Sequence, residues 1–320
     1  MQTVILNKIF KILLKENNFS SGISGEILKI KNRIFSGFDP TCTSRNQKFD
    51  FSFSFGDKLI KGIRFSYNNY GEKEHFISKI IGICDSFGTR YNIKKLRGIL
   101  RIMHPGYLRH QTTLGVEWLA GNPYPRFKIY FEELRHHYTI DQRLGKLREI
   151  FRYVGLSHKK VNIFPNEDIA AICIDLLPDT GLEVKTYAFT RELNSFLANI
   201  NLERFPSLCK KLALFKSCLL KEKRFFYYFT KRFSLSADLI SAKIYKIYEV
   251  KQIPDPSLCM AEIKGLFVRL GLLKEMRQIK LISNICKENK LLLYPVIASV
   301  DLKFPDDSKI DLYYSFKDRG

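Results

Sequence analysis

Several features that would assign a protein to a membrane, secreted or metal-binding class are missing from this sequence of 320 residues. No stretch approaches the roughly 18 to 20 uninterrupted apolar residues of a membrane-spanning helix. The first residues, "MQTVILNKIFKILLKENNF", have apolar positions at helical spacing but lack the apolar core and cleavage site of a signal peptide. The seven cysteines are scattered and form no CxxC pair, which favours reduced thiols. We therefore expect a cytoplasmic protein that does not enter membranes.

Acidic residues are also scarce relative to basic ones. The chain has 53 Lys and Arg against 32 Asp and Glu, a formal net charge of +21. These cations are spread along the whole sequence, in short clusters such as "KKLR" at 94–97, and form no basic tail. Three interpretations stay open: a solvated basic surface, a nucleic-acid-binding face, or an electropositive cleft for a phosphorylated substrate.

The most informative feature that is present is an internal repeat. Five times, two strand-like runs of alternating polarity flank a short polar turn and follow a segment of helical periodicity. The five hairpins cover residues 48–67, 111–134, 169–189, 232–250 and 293–316. They recur roughly every 60 residues, a spacing that indicates a repeated α-β-β unit. An acidic residue stands near the end of the first strand in the last four hairpins: Glu117, Asp175, Asp238 and Asp301.

Five hairpins predict ten antiparallel strands. A sheet of that size tends to curl or close, because closure removes its unpaired edges. The connecting helices would then pack outside it. We therefore predict an α/β fold in which residues 1–320 form a single domain, a ten-stranded antiparallel β-barrel wide enough to hold a ligand in its interior.

Lysine stands two residues before tyrosine in three successive hairpins, at equivalent points. In a strand, residues i and i+2 share a face, so each lysine and its tyrosine project side by side. These pairs face either solvent or the barrel interior, and their shared register favours the interior. The pairs are Lys128 with Tyr130, Lys185 with Tyr187, and Lys243 with Tyr245, and Arg64 and Tyr313 hold related places in the first and fifth hairpins.

The fourth hairpin offers two registers, because "KIYKIY" also contains Lys246 and Tyr248. The two pairs lie on opposite faces of one strand, so only one can face inward. We favour Lys243 with Tyr245, which starts closer to the turn.

An interior ring of cations and aromatic rings suits one type of chemistry. Lysine and arginine bind diphosphate through charge-assisted hydrogen bonds. Tyrosine faces stabilise a carbocation and exclude the water that would quench it. An allylic diphosphate is the natural substrate for such a lining, with a nearby carboxylate to accept a proton from the attacking nucleophile. The pattern predicts prenyl transfer.

At this point the sequence resembles the ABBA-type prenyltransferases, whose barrel is built from α-β-β units, and among them the cyanobactin peptide prenyltransferases. "FDFSFSFGDKLIKGIRF" is similar to the first hairpin of that group, and "FGTRYNIKKLRGIL" with "LGVEWLAGNPYPRFKIYF" is similar to its helix and second hairpin. The resemblance implies transfer of a dimethylallyl or longer isoprenyl group from its diphosphate to a nucleophilic side chain of a ribosomal, cyclic peptide. The alternative acceptor is a small aromatic molecule or a free amino acid.

The resemblance also implies roles for individual residues. Asp50 matches the catalytic glutamate, one methylene shorter, which leaves the acceptor atom open. The positions that match diphosphate-binding residues are Arg64, Lys128, Lys185 and Lys243, and those that match the carbocation shield are Tyr130, Tyr187, Tyr245 and Tyr313. Asp311 stands where a lysine is expected, and nothing in the sequence explains it. Trp118 packs either in the barrel or helix layer or beside the acceptor.

The resemblance implies Mg²⁺ bound to the diphosphate and no metal site made by the protein. The chain lacks the DDxxD motif with which helical prenyl synthases hold Mg²⁺, and lysines can neutralise the diphosphate instead. The expected partners are an isoprenyl diphosphate and a peptide or aromatic acceptor, bound by a monomer.

Two other functions are alternatives to prenyl transfer. "AAICIDLLPDTG" at 170–181 superficially resembles the LAGLIDADG helix of homing endonucleases, and the positive charge suits DNA. No second copy occurs, however, and the stretch has the pattern of a hairpin. The other alternative is a non-catalytic barrel that binds an amphipathic ligand, which has no need for Asp50 and Arg64.

Overall fold

A computed structural model gives the structure of this protein. It describes residues 49–56, 59–69, 81–86, 91–103, 112–119, 124–132, 134–156, 168–179, 181–190, 206–220, 227–233, 239–248, 256–303 and 309–318, with positions 11, 25, 28, 29, 78 and 122. For 49–56 and 59–69 only the backbone is described.

Ten strands within these described residues form a closed antiparallel barrel, in which each strand pairs with its neighbours in the sequence and β1 pairs with β10. The strands are β1 (Phe49–Gly56), β2 (Leu59–Asn69), β3 (Thr112–Leu119), β4 (Arg126–Phe131), β5 (Asp168–Leu176), β6 (Leu182–Thr190), β7 (Tyr227–Phe233), β8 (Leu239–Ile247), β9 (Leu291–Lys303) and β10 (Lys309–Asp318). Closure leaves no sheet edge unpaired. Because consecutive strands are joined by short turns in pairs, all five hairpin turns lie at one end of the barrel.

Six helices of the described part lie between the hairpins: α1 (Ile93–Met103), α2 (Leu134–His137), α3 (Ile140–Val154), α4 (Pro206–Leu219), α5 (Pro256–Arg269) and α6 (Leu273–Glu288). Helix α1 packs on α3, α4 packs on α5, and α6 packs on β9. The prediction of an α/β fold with an antiparallel, curled sheet and helices outside it is confirmed. None of the helices in this part of the chain has the length and apolarity needed to cross a membrane.

Strand alternation separates two environments, as β4 illustrates. Phe127 and Phe131 are fully buried and face the helices, whereas Lys128 and Tyr130, which lie between them, face the barrel interior. The helix-facing side chains form one apolar core with the helices, and Phe151 of α3 contacts Phe233 of β7 edge to face, with ring centroids 5.3 Å apart. Burying each such side chain contributes about 1.5–3 kcal/mol. This core stabilises the barrel, and the opposite face of the strands lines the barrel interior.

Helix α3 shows how local sequence sets an element. Thr139 accepts a hydrogen bond from the backbone N–H of Gln142, and the Gln142 side chain accepts one from the backbone N–H of Thr139, at 3.3 and 2.9 Å. This capping box satisfies donors that a helix start leaves unpaired. Gly155 ends the helix with φ of 87°, a left-handed conformation that glycine adopts without a steric penalty.

The fourth hairpin differs from its predicted position. The first strand was predicted at 232–239, but β7 spans Tyr227–Phe233, so the aromatic run "YYFTKRF" forms the strand. This run has aromatic residues on both faces, with Phe229 and Phe233 in the core and Tyr228 in the interior, so it fits a strand buried on both faces better than the small polar residues that follow. Asp238, expected at the end of this strand, lies outside the described residues. The expectation of reduced thiols agrees with the six cysteines of the described part, which are present as thiols and not as disulfides.

Candidate active site

The barrel interior of this protein is lined by charged and tyrosine side chains arranged along each strand. In β4, β6 and β8 the inward lysine lies one inward position closer to the hairpin turns than the inward tyrosine. This order creates a charged zone towards the turns and a tyrosine zone further along the barrel axis. The polar pocket of the interior is lined by Glu117, Arg126, Lys128, Lys185, Tyr187, Thr230, Arg232, Ser241, Lys243, Tyr245, Asp301 and Tyr313.

A carboxylate bridges the first two predicted lysines. Lys128 lies opposite Asp175 in the pairing of β4 with β5, and its Nζ atom lies 3.2 Å from Oδ2 of Asp175 and 3.0 Å from Oε2 of Glu117. Lys185 of β6 donates to the same Oδ2 atom of Asp175. Both ammonium groups are almost fully buried and are held by charge-assisted hydrogen bonds.

The third predicted lysine is held in the same way. Lys243 donates to Oδ2 of Asp311, and its Nζ atom lies 3.5 Å from Oδ2 of Asp301. The sequence alone did not explain why the fifth hairpin has an acid at Asp311. The structure supplies the reason, because Asp311 of β10 is fully buried and serves as the counter-ion of Lys243 on β8, two strands away in sequence order.

Sequence reasoning missed two interior arginines. Arg126 lies 3.7 Å from Glu183 and 3.9 Å from Asp175, and Arg232 lies 3.6 Å from the same Oε2 atom of Glu183. Arg126 occupies the same face as Lys128 two residues later, so the i, i+2 rule applied to "RFKIY" could have found it. Arg232 had no such signal, because its strand was placed five residues too late.

The charges of this network set the ionisation of its members. Burial alone would raise the pKa of Asp175, but Lys128, Lys185 and Arg126 outweigh burial and hold that pKa well below its ordinary value. Burial alone would lower the pKa of Lys243, but Asp311 and Asp301 outweigh it and raise that pKa well above its ordinary value. Both groups are therefore charged at neutral pH, and Lys243 presents an ammonium group to the interior.

The tyrosine zone is a contiguous aromatic cluster. Tyr187 lies at its centre, with ring centroids 5.8 Å from Tyr130, 5.8 Å from Tyr228 and 6.1 Å from Tyr245. Tyr228 of β7 was not predicted, again because β7 was misplaced. The stacked and tilted geometry is that of favourable aromatic pairs, and the ring faces form an electron-rich, largely dry surface next to the lysines.

This buried cluster predicts alkaline sensitivity. Burial raises the pKa of both Tyr187 and Tyr228 well above the ordinary value. Above the unfolded-state pKa of about 10, the unfolded chain loses protons that the folded chain keeps, so stability is complete below that pH and falls above it. We expect the free energy of unfolding, measured by urea denaturation, to be lower at about pH 11 than at about pH 8.

The double variant Tyr187→Phe, Tyr228→Phe should show a smaller alkaline loss, whereas Tyr153→Phe, which removes a phenol that is 44% exposed, should match the parent protein. Equal alkaline losses in the parent and the double variant would contradict this origin of the effect.

Little open space remains between the interior charges. The pocket among them measures about 20 Å³, which is room for little more than one water molecule. A second cavity of about 200 Å³ adjoins it towards the hairpin turns and is lined partly by Asn122 and Tyr124. Glu117 and Arg126 border both spaces. A ligand of the charged zone must therefore open some of the ion pairs described above.

The structure distinguishes among the residues singled out from the sequence. It brings Lys128, Lys185 and Lys243 together in the charged zone, and the favoured register of the fourth hairpin is the observed one. Tyr248 lies in the core on the other face, with the Lys246 ammonium 5.4 Å from its ring centroid. Of the four predicted shield residues, Tyr187, Tyr245 and Tyr313 line the interior pocket, and Tyr130 joins the same aromatic cluster.

Trp118 requires a correction. Its side chain is fully buried in the core between barrel and helices, on the face opposite Glu117, because adjacent residues of a strand point to opposite faces. A contact with an acceptor inside the barrel is excluded by this orientation, and of the two expected places only the one in the helix layer is correct.

Asp50 and Arg64 are described by their backbone alone. Arg64 pairs with Glu117 of β3 and with Ser52 of β1, so its register position is in line with the charged zone. Asp50 pairs with Ser66, two residues further from the turn, in line with the tyrosine side of the barrel. Their side chains lie outside the described part of the structure.

No three His, Cys, Asp or Glu side chains of the described residues converge closely enough to hold a metal ion. The interior acids instead approach lysine and arginine. The charged zone of the described residues is thus a network of ion pairs.

Comparison with known proteins agrees with this architecture. No family model matches the chain, and no curated protein matches its sequence. Among solved structures, 5-dimethylallyltryptophan synthase from Streptomyces coelicolor is similar with a TM-score of 0.71 at 13% identity, covering 98% of this chain and 97% of that one. The structure of 6-dimethylallyltryptophan synthase from Micromonospora olivasterospora, in complex with DMASPP and Trp, has a TM-score of 0.71 at 12% identity, with 97% and 96% covered. AnaPT from Neosartorya fischeri has a TM-score of 0.67 at 11% identity, with 96% and 91% covered.

The chain shares the fold of these proteins. The predicted ABBA-type barrel is confirmed at that level, over nearly the whole length of both chains. The narrower prediction, a closest relationship to the cyanobactin enzymes, stays a prediction.

Proposed function

We propose that this protein is a prenyltransferase that moves a dimethylallyl-type group from its diphosphate to an aromatic acceptor inside the barrel. The observation that carries the proposal is the juxtaposition of buried ammonium groups with a tyrosine cluster on one interior surface. Anion binding and carbocation stabilisation are the two requirements of this reaction, and here they adjoin. The fold is shared with dimethylallyltryptophan synthases, and two such structures hold a donor analogue with tryptophan.

In this proposal the diphosphate binds among Lys128, Lys185 and Lys243, and the allylic carbons extend over the tyrosine rings. The carbon–oxygen bond of the donor breaks, and its electron pair leaves with the diphosphate, whose developing charge the ammonium groups stabilise. The acceptor ring carbon then forms the new carbon–carbon bond. Asp50, at the tyrosine end of the register, is the candidate base that removes the proton from that carbon.

Mg²⁺ is proposed as a companion of the diphosphate, where it would neutralise part of the leaving group's charge. The interior fits such an ion, since it contains carboxylate and hydroxyl oxygens, the ligands that Mg²⁺ prefers. The ion pairs made by Glu117 and Asp175 show that these two acids are already engaged with lysines.

The acceptor class is the finer part of the proposal. The descriptions of the structurally similar proteins favour tryptophan or another aromatic acceptor over the cyclic peptide that the sequence resemblance implied. The test is intact-mass analysis after the protein is mixed with dimethylallyl diphosphate and, separately, tryptophan, other aromatic molecules and cyclic peptides. We expect a mass gain of one prenyl unit on the aromatic acceptor.

Modification of the peptides alone would restore the peptide assignment. Absence of any product, together with a shift of DNA mobility in a gel, would favour the nucleic-acid alternative instead. A protein that binds the donor but modifies nothing would correspond to the non-catalytic barrel.

A further inference from the structure

Thr230 of β7 donates a hydrogen bond to a tyrosine on the neighbouring strand. Its hydroxyl lies 2.8 Å from the phenol oxygen of Tyr245 on β8. Both residues are almost fully buried, with exposed fractions of 4% and 5%, and both line the interior pocket. This bond directs the Tyr245 ring in a way that apolar contacts cannot, because a hydrogen bond has a preferred direction whereas hydrophobic burial has none.

The hydrogen bond runs diagonally between the two strands. Thr230 lies opposite Lys243 in the pairing of β7 with β8, whereas Tyr245 lies opposite Tyr228. Residues diagonal to each other across a strand pair are within reach of an aromatic side chain. The Tyr245 ring therefore leans towards the hairpin turns, and its hydroxyl lies near the level of Lys243. This ring spans the boundary between the tyrosine zone and the charged zone.

The Tyr245 ring also packs against two aromatic neighbours. Its centroid lies 5.3 Å from that of Tyr228 and 6.1 Å from that of Tyr187, with the ring planes inclined at 53° and 41°. The pocket that Tyr245 and Thr230 line measures about 20 Å³, which is room for little more than one water molecule. A small tilt of the Tyr245 ring would therefore change whether water fits at this boundary.

We propose that Thr230 is a positioning residue for prenyl transfer, whose hydrogen bond holds the Tyr245 ring beside the allylic carbon of the donor and so keeps water away from that carbon. The proposal rests on the proposed function, because a diphosphate held by Lys128, Lys185 and Lys243 places the breaking carbon–oxygen bond at the boundary where Tyr245 lies. In this role Thr230 acts through Tyr245 and does not need to touch the donor.

Loss of this positioning has a chemical signature. When water replaces the acceptor, its oxygen forms a bond to the allylic carbon, the carbon–oxygen bond to the diphosphate breaks, and the attacking water releases a proton to solvent. The products are a prenyl alcohol and diphosphate, and the acceptor stays unmodified. The ratio of prenyl alcohol to prenylated acceptor therefore reports how well the site excludes water. Unfolded protein forms neither product, so this ratio does not depend on the folded fraction.

The test measures this ratio in the parent protein, Thr230→Val and Thr230→Ser, after subtraction of the hydrolysis seen without protein. The donor is dimethylallyl diphosphate, and the acceptor is tryptophan or whichever acceptor gains a prenyl unit in the intact-mass analysis. We expect Thr230→Val, which keeps the shape of the side chain but lacks the hydroxyl, to raise the ratio by about three- to tenfold, the factor that corresponds to one ordinary hydrogen bond. Thr230→Ser keeps the hydroxyl and should stay close to the parent ratio. An unchanged ratio in Thr230→Val would overturn the proposal.

Thr186→Val is the matched control. Thr186 is a fully buried threonine of β6 that faces the helices, because it lies between Lys185 and Tyr187, which face the interior. Among the described residues its hydroxyl has no hydrogen-bond partner. The same substitution at this position should leave the ratio unchanged. A similar rise in both valine variants would show a general loosening of the barrel and would refute a specific role for Thr230.

Tyr245→Phe tests whether Thr230 acts through the phenol. This variant keeps the ring but removes the hydrogen-bond acceptor, so it should raise the ratio about as much as Thr230→Val does. In the double variant Thr230→Val, Tyr245→Phe the ratio should be no higher than in either single variant, because both changes break the same bond. Effects that multiply would contradict the proposal. Should Thr230→Val not fold, Tyr245→Phe decides the question, since an unchanged ratio in that variant overturns the proposal as well.

Failure of this inference and failure of the proposed function give different results. If the parent protein forms the prenylated acceptor but the ratio does not respond to Thr230→Val, the positioning role is refuted and the proposed function stands. If the parent protein forms no prenylated product with any acceptor, the proposed function is refuted, and the positioning role with it.

Discussion

Replacing Lys243 by methionine is expected to lower kcat/KM for the prenyl diphosphate by about 100-fold, equivalent to about 2.7 kcal/mol. Lys243 projects into the charged zone, where its ammonium is held by Asp311 and Asp301. A charge-assisted hydrogen bond to a phosphate contributes about 1.5–3 kcal/mol, and methionine keeps the volume of the side chain but offers no donor. The measurement is steady-state prenyl transfer to the aromatic acceptor at varied donor concentration.

Lys246→Met is the matched control. Lys246 lies on the same strand and is similarly buried, but it faces the helix side, with its ammonium above Tyr248. We expect a change in kcat/KM of less than about threefold, equivalent to less than about 0.7 kcal/mol, because the Lys246 ammonium lies outside the barrel interior and cannot contact the donor. Similar losses of kcat/KM in both variants would show that Lys243 stabilises the fold and does not bind the donor diphosphate.

Loss of Lys243 also leaves buried acids unpaired, so folding must be tested separately. The double variant Lys243→Met, Asp311→Asn removes both partners of one ion pair, which is far less destabilising than removal of one. It should unfold at a higher temperature than Lys243→Met and should still lack activity. Recovered activity in the double variant would contradict a direct role for the ammonium.

Replacing Asp175 by asparagine is expected to reduce the free energy of unfolding by about 3–5 kcal/mol, the usual effect of breaking a buried ion pair from one side. Asp175 is fully buried and is the common partner of Lys128 and Lys185. Without its charge, two lysines and the nearby Arg126 repel one another in a space with little room for water. Urea denaturation near neutral pH measures the loss.

The pH dependence of this effect has a definite sign. Because the pKa of Asp175 is lowered in the folded state, its contribution is complete above the unfolded-state pKa of about 4 and is lost as the pH falls below that value. The difference between parent and variant should therefore be constant from neutral pH to about pH 4 and shrink below it.

Asp179→Asn, the same substitution in the exposed β5–β6 turn, should change stability by less than about 0.5 kcal/mol. Pyrophosphate should stabilise Asp175→Asn more than the parent protein, since the anion replaces the missing charge. A variant as stable as the parent would mean that the lysines do not depend on Asp175.

Much of the fold was predictable because the periodicity of a strand or a helix depends only on residues that are close together in the sequence. Alternation of apolar and polar residues identified four of the five hairpins closely, and the apolar spacing of "YTIDQRLGKLREIFRYVG" identified α3. The prediction of the first strand of the fourth hairpin was wrong, also for a local reason. The segment 234–239 alternates in polarity and the aromatic run before it has high strand propensity, and only pairing with β6 and β8 selects the aromatic run.

The candidate site was predictable in part. Lysine and tyrosine two residues apart in a strand must share a face. Because the three pairs hold equivalent positions in successive hairpins, all three are expected to face the same way. Ion-pair partners were not predictable, because Asp311 meets Lys243 across 68 residues of sequence. Trp118 was ambiguous for a related reason, since a large aromatic residue suits either face until the neighbouring Glu117 is seen to line the interior.

The sequence by itself determined which residues share a strand face, that five hairpins are present, and that the interior face carries lysine and tyrosine side chains. Only the tertiary structure decided which carboxylate neutralises which lysine, how little open space is left, and which oxygens stay unpaired. The physical reason is that periodicity is a property of neighbouring residues, whereas charge pairing depends on distances between strands, and those are set by closure of the barrel.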